Sequence, residues 1–204
     1  MATPASPFRV TICGIPELDA HGDAGVTHVL SILDPEWPDP PAFAEFPPHQ
    51  RLSLRFHDVI EPAPDQLAPS RDDVAQLLQF GRTLAKPGAG HLPVRHLLVH
   101  CHAGVSRSTA AATLILAQAQ PQLSAREVLD RVAELRPRAW PNLRMLELGD
   151  ALLGRDGEIV AAVAAVYRRV LDRDPFFESF MIESGRHREV LAALAAPLSS
   201  PGRR

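Results

Sequence analysis

Cysteine is scarce in this chain of 204 residues, which has only Cys13 and Cys101. Two cysteines make no disulfide framework, so each thiol needs its own explanation. Long hydrophobic runs are missing too. No stretch approaches the roughly 20 apolar residues of a membrane-spanning helix, and Met1 to Pro7 lacks the basic and apolar regions of a secretory leader. Strong charge of either sign is also absent. A net charge of −3 supplies no reason to expect nucleic-acid binding. What is present suits an ordinary globular core, 46% hydrophobic and 22% charged, in a length that fits one domain with a helical appendage. Proline is plentiful at 20 residues, many of them between the apolar runs. No internal repeat is visible.

The second cysteine lies in the stretch His100-Cys101-His102-Ala103-Gly104-Val105-Ser106-Arg107-Ser108-Thr109. Before it, Val94 to Val99 is an apolar run that reads as a buried strand; after it, Ala110 to Ala119 reads as a buried helix. A strand therefore delivers Cys101 into a tight loop from which a helix starts. Gly104 sits where the backbone must turn sharply or approach a ligand closely. Successive N–H groups of such a loop, with the orphan N–H groups of the helix start, form an anion cradle. Arg107 adds a planar fork able to hold two phosphate oxygens. The donors that bind phosphate also stabilise a thiolate. A thiolate beside a phosphate cradle implies a covalent phosphoenzyme mechanism.

His100, Cys101, the five residues that follow, Arg107 and Ser108 together resemble the signature of the protein-tyrosine phosphatase superfamily. The filling Ala103 to Ser108 is most similar to the dual-specificity phosphatases. The opening also resembles theirs: a strand at Phe8 to Cys13, a short helix near Leu18 to His21, and a β-branched, apolar strand at Thr27 to Leu33. The resemblance covers roughly residues 8–153. It implies an α/β fold with a small, mostly parallel central sheet flanked by helices, and a helical C-terminal extension beyond. The expected division is a phosphatase domain over 1–153 and an extension packed on it over 154–204. The wealth of Ala, Arg and Pro is associated with GC-rich bacterial genomes, and a cysteine nucleophile needs a reducing compartment, so a cytoplasmic protein is expected.

Within the resembled region, Arg51 to Phe56 alternates and reads as a half-exposed strand, and Pro69 to Lys86 as a helix capped by Ser70, with Val74, Leu77, Leu78 and Leu84 as its stripe. Asp34 to Pro48 is a Pro-rich loop that either rims the substrate or caps the core. Pro87 to Pro93 breaks the chain. Ser124 and Glu127 form a capping box that opens a helix over Ala125 to Leu135, and a further helix spans Asn142 to Leu153. Asp156 to Asp172 reads as a long helix and Arg188 to Ala195 as a short one. The aromatic patch Phe176, Phe177 and Phe180 lies between them.

Cys101 is the expected nucleophile and Arg107 the holder of the equatorial phosphate oxygens. Backbone N–H groups of His102, Ala103, Gly104, Val105 and Ser106 complete the phosphate site. Ser108 can hydrogen-bond the sulfur and help it leave, or cap the helix. His100 is expected as a structural support, a neutral imidazole bonded to loop carbonyls. The leaving oxygen needs a proton from a positioned carboxylic acid on another segment. Asp58 matches the family's acid position, at the end of the strand before the signature; Asp65, Glu61, Asp72 and Asp73 are rivals. Asn142 either braces the acid loop or the cradle, or caps a helix. Arg136 and Arg138 either meet a second acidic group on the substrate or pair with local carboxylates. His91, His96, His100 and His102 follow no recognised zinc spacing, so neither metal nor cofactor is expected. Cys13 is a buried core thiol or a redox partner of Cys101. The expected activity is hydrolysis of phosphotyrosine, and of phosphoserine or phosphothreonine if the pocket is shallow, on a phosphorylated protein or small phosphomonoester. Inositol phosphates, a binding module without turnover and sulfur transfer are the alternatives.

Overall fold

The computed structural model describes residues 6–85 and 95–197. The break at Pro87 to Pro93, His91 and the two chain ends lie outside the described residues. Four segments form parallel strands, β1 (Arg9–Gly14), β2 (His28–Leu33), β3 (Gln50–Arg55) and β4 (His96–Cys101), in the order β1-β4-β2-β3. The two central strands, β2 and β4, are buried at every position. That is why they read as continuous apolar runs, while the edge strand β3 alternates. β4 runs two residues beyond the expected end, because its pairing with β1 continues to Gly14 opposite Cys101.

The helices are α1 (Arg71–Ala85), α2 (Arg107–Ala119), α3 (Ala125–Leu135), α4 (Leu143–Leu153), α5 (Glu158–Arg173), α6 (Phe176–Glu183) and α7 (His187–Ala195). Helix α2 is buried from Arg107 to Ala117 and packs against β4, α1, α3 and α4. Its small residues permit that crowding. The same closeness shows at Gly149 of α4, where a Cβ would lie 2.3 Å from Leu114 Cδ2.

The sheet has a core on each face. Leu97, Val99 and Cys101 project into the large helical core, and Leu98 into a smaller one with Cys13, Leu18, Val29, Phe43 and Phe46. The smaller core is covered by 3₁₀ turns at Ile15–His21 and Pro41–Glu45. The Asp34 to Pro48 loop thus buries Phe43 and Phe46 as a cap, while Trp37 stays 45% exposed. Cys13 and Cys101 are both free, and their side chains belong to cores on opposite faces of the sheet. Beyond Leu153, Ile159, Val163, Val166, Tyr167, Leu171, Val190 and Ala193 join the large helical core. Tyr167 stacks on Trp140 with ring centroids 4.5 Å apart, and its hydroxyl donates to the Pro141 carbonyl.

Candidate active site

All four strands point their carboxyl ends at one edge, the usual crevice of an open parallel sheet. β1 ends at Gly14, beside Glu17; β2 leads into Asp34; β3 leads into Asp58; β4 ends at Cys101. Four segments distant in sequence therefore meet around the thiol.

The loop after Cys101 turns its carbonyls outward, and each has a donor. The His102 oxygen accepts from Ile15 N (2.9 Å), Val105 from Trp140 N (2.9 Å) and Ser106 from Asn142 N (3.3 Å). Arg136 donates to the Gly104 and Ala103 carbonyls at 3.1 and 2.9 Å, and pairs in parallel with both oxygens of Glu17 at 2.8 Å. That hydrogen bond holds the Glu17 carboxyl below its usual range. Among the described residues, the N–H groups of Ala103, Gly104, Val105 and Ser106 donate to no protein acceptor. The peptide units thus leave their donors for an anion. Gly104 makes the turn at φ +70°, where a Cβ would fall 2.4 Å from the carbonyl carbon of Cys13.

Cys101 is almost fully buried, and its sulfur lies 3.2 Å from Ser108 Oγ. Ser108 sits inside the first turn of α2, so it is not the cap; Ser106 holds the N-cap position. Arg107 is 3% exposed. Its Nη1 donates to Asp34 Oδ1 and to the Phe56 carbonyl, both at 2.6 Å, and its buried Nε has no protein partner. His100 bonds Ser31 Oγ, a hydroxyl of the neighbouring strand, at 2.7 Å. Burial pushes its pKa down to about 4, so the ring is neutral near pH 7. His102 accepts from Asp34 N at 3.3 Å and leans on Trp37, centroids 4.5 Å apart; burial, then Arg107, lowers its pKa.

Asp58 faces the cradle. Its Oδ1 accepts from Ser106 Oγ (2.7 Å), Asn142 Nδ2 (2.8 Å) and Arg186 Nη1 (3.1 Å). Burial alone would raise its pKa, but the charges of Arg186 and Arg107 and the bonds from Asn142 and Ser106 outweigh that and lower it. The amide nitrogen of Asn142 also bonds the Val59 carbonyl, and its oxygen caps α4 through Met145 N at 3.0 Å. Of the rival carboxylates, Glu61 pairs with Arg188 on the surface and Asp73 with Ser70 at the start of α1, while Asp58 lines the cleft.

The cleft holds about 490 Å³ over Cys101. Cys101, Ser106, Arg107 and Asp58 form its polar floor and flank, and Trp140, Phe177, Phe180 and Met181 an apolar wall. Arg138 stands exposed at its rim, whereas Arg136 is committed to Glu17 and the loop carbonyls. His96 bonds Thr11 and the Ala24 carbonyl, away from His102. Among the described residues, no three His, Cys, Asp or Glu side chains cluster as metal ligands. Sequence reasoning missed three contributors. Asp34 sits at the end of a buried strand, a position that marks the ligand edge of a parallel sheet. Arg186 and Glu189 carry no local signal, since their roles depend on contacts across more than 45 residues.

No family model matches the chain. A segment of 61 residues is 48% identical to human protein phosphatase Slingshot homolog 3, covering 28% of this chain and 9% of that protein's length. Among solved structures, human DUSP28 superposes with a TM-score of 0.53 at 18% identity over 74% of this chain and 96% of its own. DUSP15 gives 0.53 at 23% identity over 84% and 95%. A mouse putative dual specificity phosphatase complexed with zinc tungstate gives 0.52 at 18% over 80% and 95%. The resemblance to the cysteine-based phosphatases thus extends from the signature to the fold.

Proposed function

We propose, from a fold shared with the dual-specificity phosphatases, that this protein hydrolyses phosphate monoesters through a cysteinyl-phosphate. The observation that carries the reading is the loop after Cys101, whose carbonyls are all bonded outward and whose N–H groups from Ala103 to Ser106 are without protein acceptors among the described residues. Arg107 completes the cradle, its guanidinium fixed by Asp34 and Phe56 O with Nε left over for an oxygen. Cys101 thiolate attacks phosphorus and the P–O ester bond breaks. Asp58 gives its proton to the departing oxygen. Water then attacks the phosphocysteine, giving a proton back to Asp58, and the S–P bond breaks. Ser108, 3.2 Å from the sulfur, stabilises the leaving thiolate.

The substrate class is phosphotyrosine in a protein, with shorter phosphoserine and phosphothreonine side chains also admitted if the rim is shallow. The apolar wall of Trp140, Phe177, Phe180 and Met181 suits an aryl ester. Inositol phosphates are disfavoured, since the cradle interior holds no lysine and Arg136 is engaged elsewhere. Among the described residues no helix is long and apolar enough to cross a membrane. We place the protein in the cytoplasm, where a catalytic thiol stays reduced.

The test is metal-free hydrolysis of an aryl phosphate across pH by wild type, Cys101→Ser and Asp58→Asn. A bell-shaped profile is expected in wild type, abolished by the first change and stripped of its alkaline limb by the second. Wild type without turnover, but still binding phosphate analogues, would leave a binding module.

A further inference from the structure

The turn between α6 and α7 sends Arg186 into the cleft from a segment 128 residues beyond Asp58. Its side chain is 5% exposed. The guanidinium is aimed from behind by Glu189: Nε and Nη2 donate to its two oxygens at 2.9 and 2.8 Å. Glu189 is fully buried and anchored to the core, accepting also from Trp140 Nε1 and from Leu143 N. Burial raises its carboxyl pKa, but four donors make the carboxylate the form that fits. With Nε and Nη2 fixed, Nη1 meets Asp58 twice, at Oδ1 (3.1 Å) and at the backbone carbonyl (3.3 Å), while Nη2 also reaches Ser106 Oγ (3.0 Å). Ser106 belongs to the cradle and itself donates to Asp58. A rigid chain of contacts therefore runs from the helical core through Glu189 and Arg186 to the acid and the phosphate loop.

We propose that Arg186 is the positioning residue of the general acid: it seats Asp58 against the phosphate loop and sets the pH range over which that carboxyl gives up its proton. The inference rests on the reading of Asp58 as the acid. A cation about 3 Å from a carboxylate favours the charged form, so the free enzyme holds Asp58 ionised to lower pH than an isolated carboxyl. The other groups facing Asp58 are Arg107 across the cradle, the neutral donors Asn142 and Ser106, and the titratable side chains of Cys101 and His102, which line the same cleft. Arg107 is committed to Asp34, which leaves Arg186 as the cation bonded directly to the acid.

The test compares kcat/KM across pH for wild type, the charge-balanced double variant Arg186→Gln/Glu189→Gln, Arg186→Lys and Asp58→Asn. Two substrates are used: nitrophenyl phosphate, whose leaving group needs little protonation, and phenyl phosphate, which depends on the acid. Removing both members of the buried pair avoids a stranded charge. In the double variant the alkaline limb moves up by about 1 pH unit or more, and the phenyl-to-nitrophenyl ratio on the plateau falls about tenfold. Arg186→Lys keeps the charge but cannot fork, so the limb stays near wild type while the ratio falls; this variant carries the test if the double variant does not fold. Limb and ratio unchanged in the double variant, or an unchanged ratio in Arg186→Lys, overturns the inference while leaving Asp58 as the acid. Persistence of the limb in Asp58→Asn overturns both.

Discussion

Arg136 gives the most direct measure of what holds the phosphate loop open. Replacing it by Met keeps the aliphatic stem and removes the guanidinium. Four bonds go: two to Glu17 and one each to the carbonyls of Ala103 and Gly104. Glu17 is 44% exposed, so its ion pair is screened and contributes only about 0.5 kcal/mol. The carbonyl bonds come from a charged donor and face no competing protein group, about 1.5 kcal/mol each at the lower end of the range. Arg136→Met should therefore cost about 3.5 kcal/mol, most of it from the loop and little from the ion pair. The assay is urea unfolding at pH 7, with Glu17→Gln beside it, which should cost less than about 1 kcal/mol. Turnover of nitrophenyl phosphate by Arg136→Met should drop about tenfold, because two freed carbonyls let the loop relax. The pH dependence has a defined sign. Arg136 lowers the Glu17 pKa in the folded state, so the pair's contribution is present above the ordinary carboxylate pKa and lost as pH falls through the lowered value. The gap between wild type and variant should narrow in acid. Equal destabilisation by Arg136→Met and Glu17→Gln would refute the argument that the carbonyl bonds dominate.

Two further outcomes follow from the same geometry. Gly104→Ala should abolish turnover and orthovanadate binding, because its Cβ meets backbone 2.4 Å away at a positive φ, whereas Gly154→Ala, also at positive φ but with open space around it, should cost only about 1 kcal/mol and leave turnover intact. His100 is held neutral, its pKa moved from 6.5 to about 4, so the unfolded chain binds the extra proton first and stability falls as pH drops through that window. The loss reaches about 3 kcal/mol, and His100→Asn should flatten the stability profile between those pH values when urea midpoints are compared.

The strands and most helices were legible because their signals are local. β2 and β4 are mostly apolar, fully buried strands, and α3 opens on a capping box that the structure reproduces, with Ser124 accepting from Glu127 N. The cradle was legible because Cys101, Gly104, Arg107 and Ser108 lie within eight residues. Asp58 was within reach as the first carboxylate after a strand. Helix α6 was not, since its three phenylalanines include two that remain exposed, Phe176 at 89% and Phe180 at 59%, and no core-facing stripe announces it. Arg186 was beyond reach for a different reason. An arginine near the end of a chain reads as solvated surface, and only the folding of α7 onto α5 carries it to the acid. Ser31, the partner of His100, shows the same limit, because a serine in a buried strand does not reveal which neighbour it bonds.

The edge where the four strands end divides the labour among separate pieces of chain. Cys101 and the free loop N–H groups come from one short connection between β4 and α2, Asp58 (the proposed acid) from the segment after β3, the clamp on Arg107 from the one after β2, and most of the apolar wall from α6. The pieces that carry the sulfur and the clamp leave the fully buried strands β4 and β2, whereas the acid segment leaves a half-exposed edge strand and α6 buries only Met181. Insertions, deletions and sequence drift in the wall or the rim can therefore change which ester is accepted without displacing the sulfur from its cradle. On the proposed reading, the choice of substrate is in this way uncoupled from the act of cleavage.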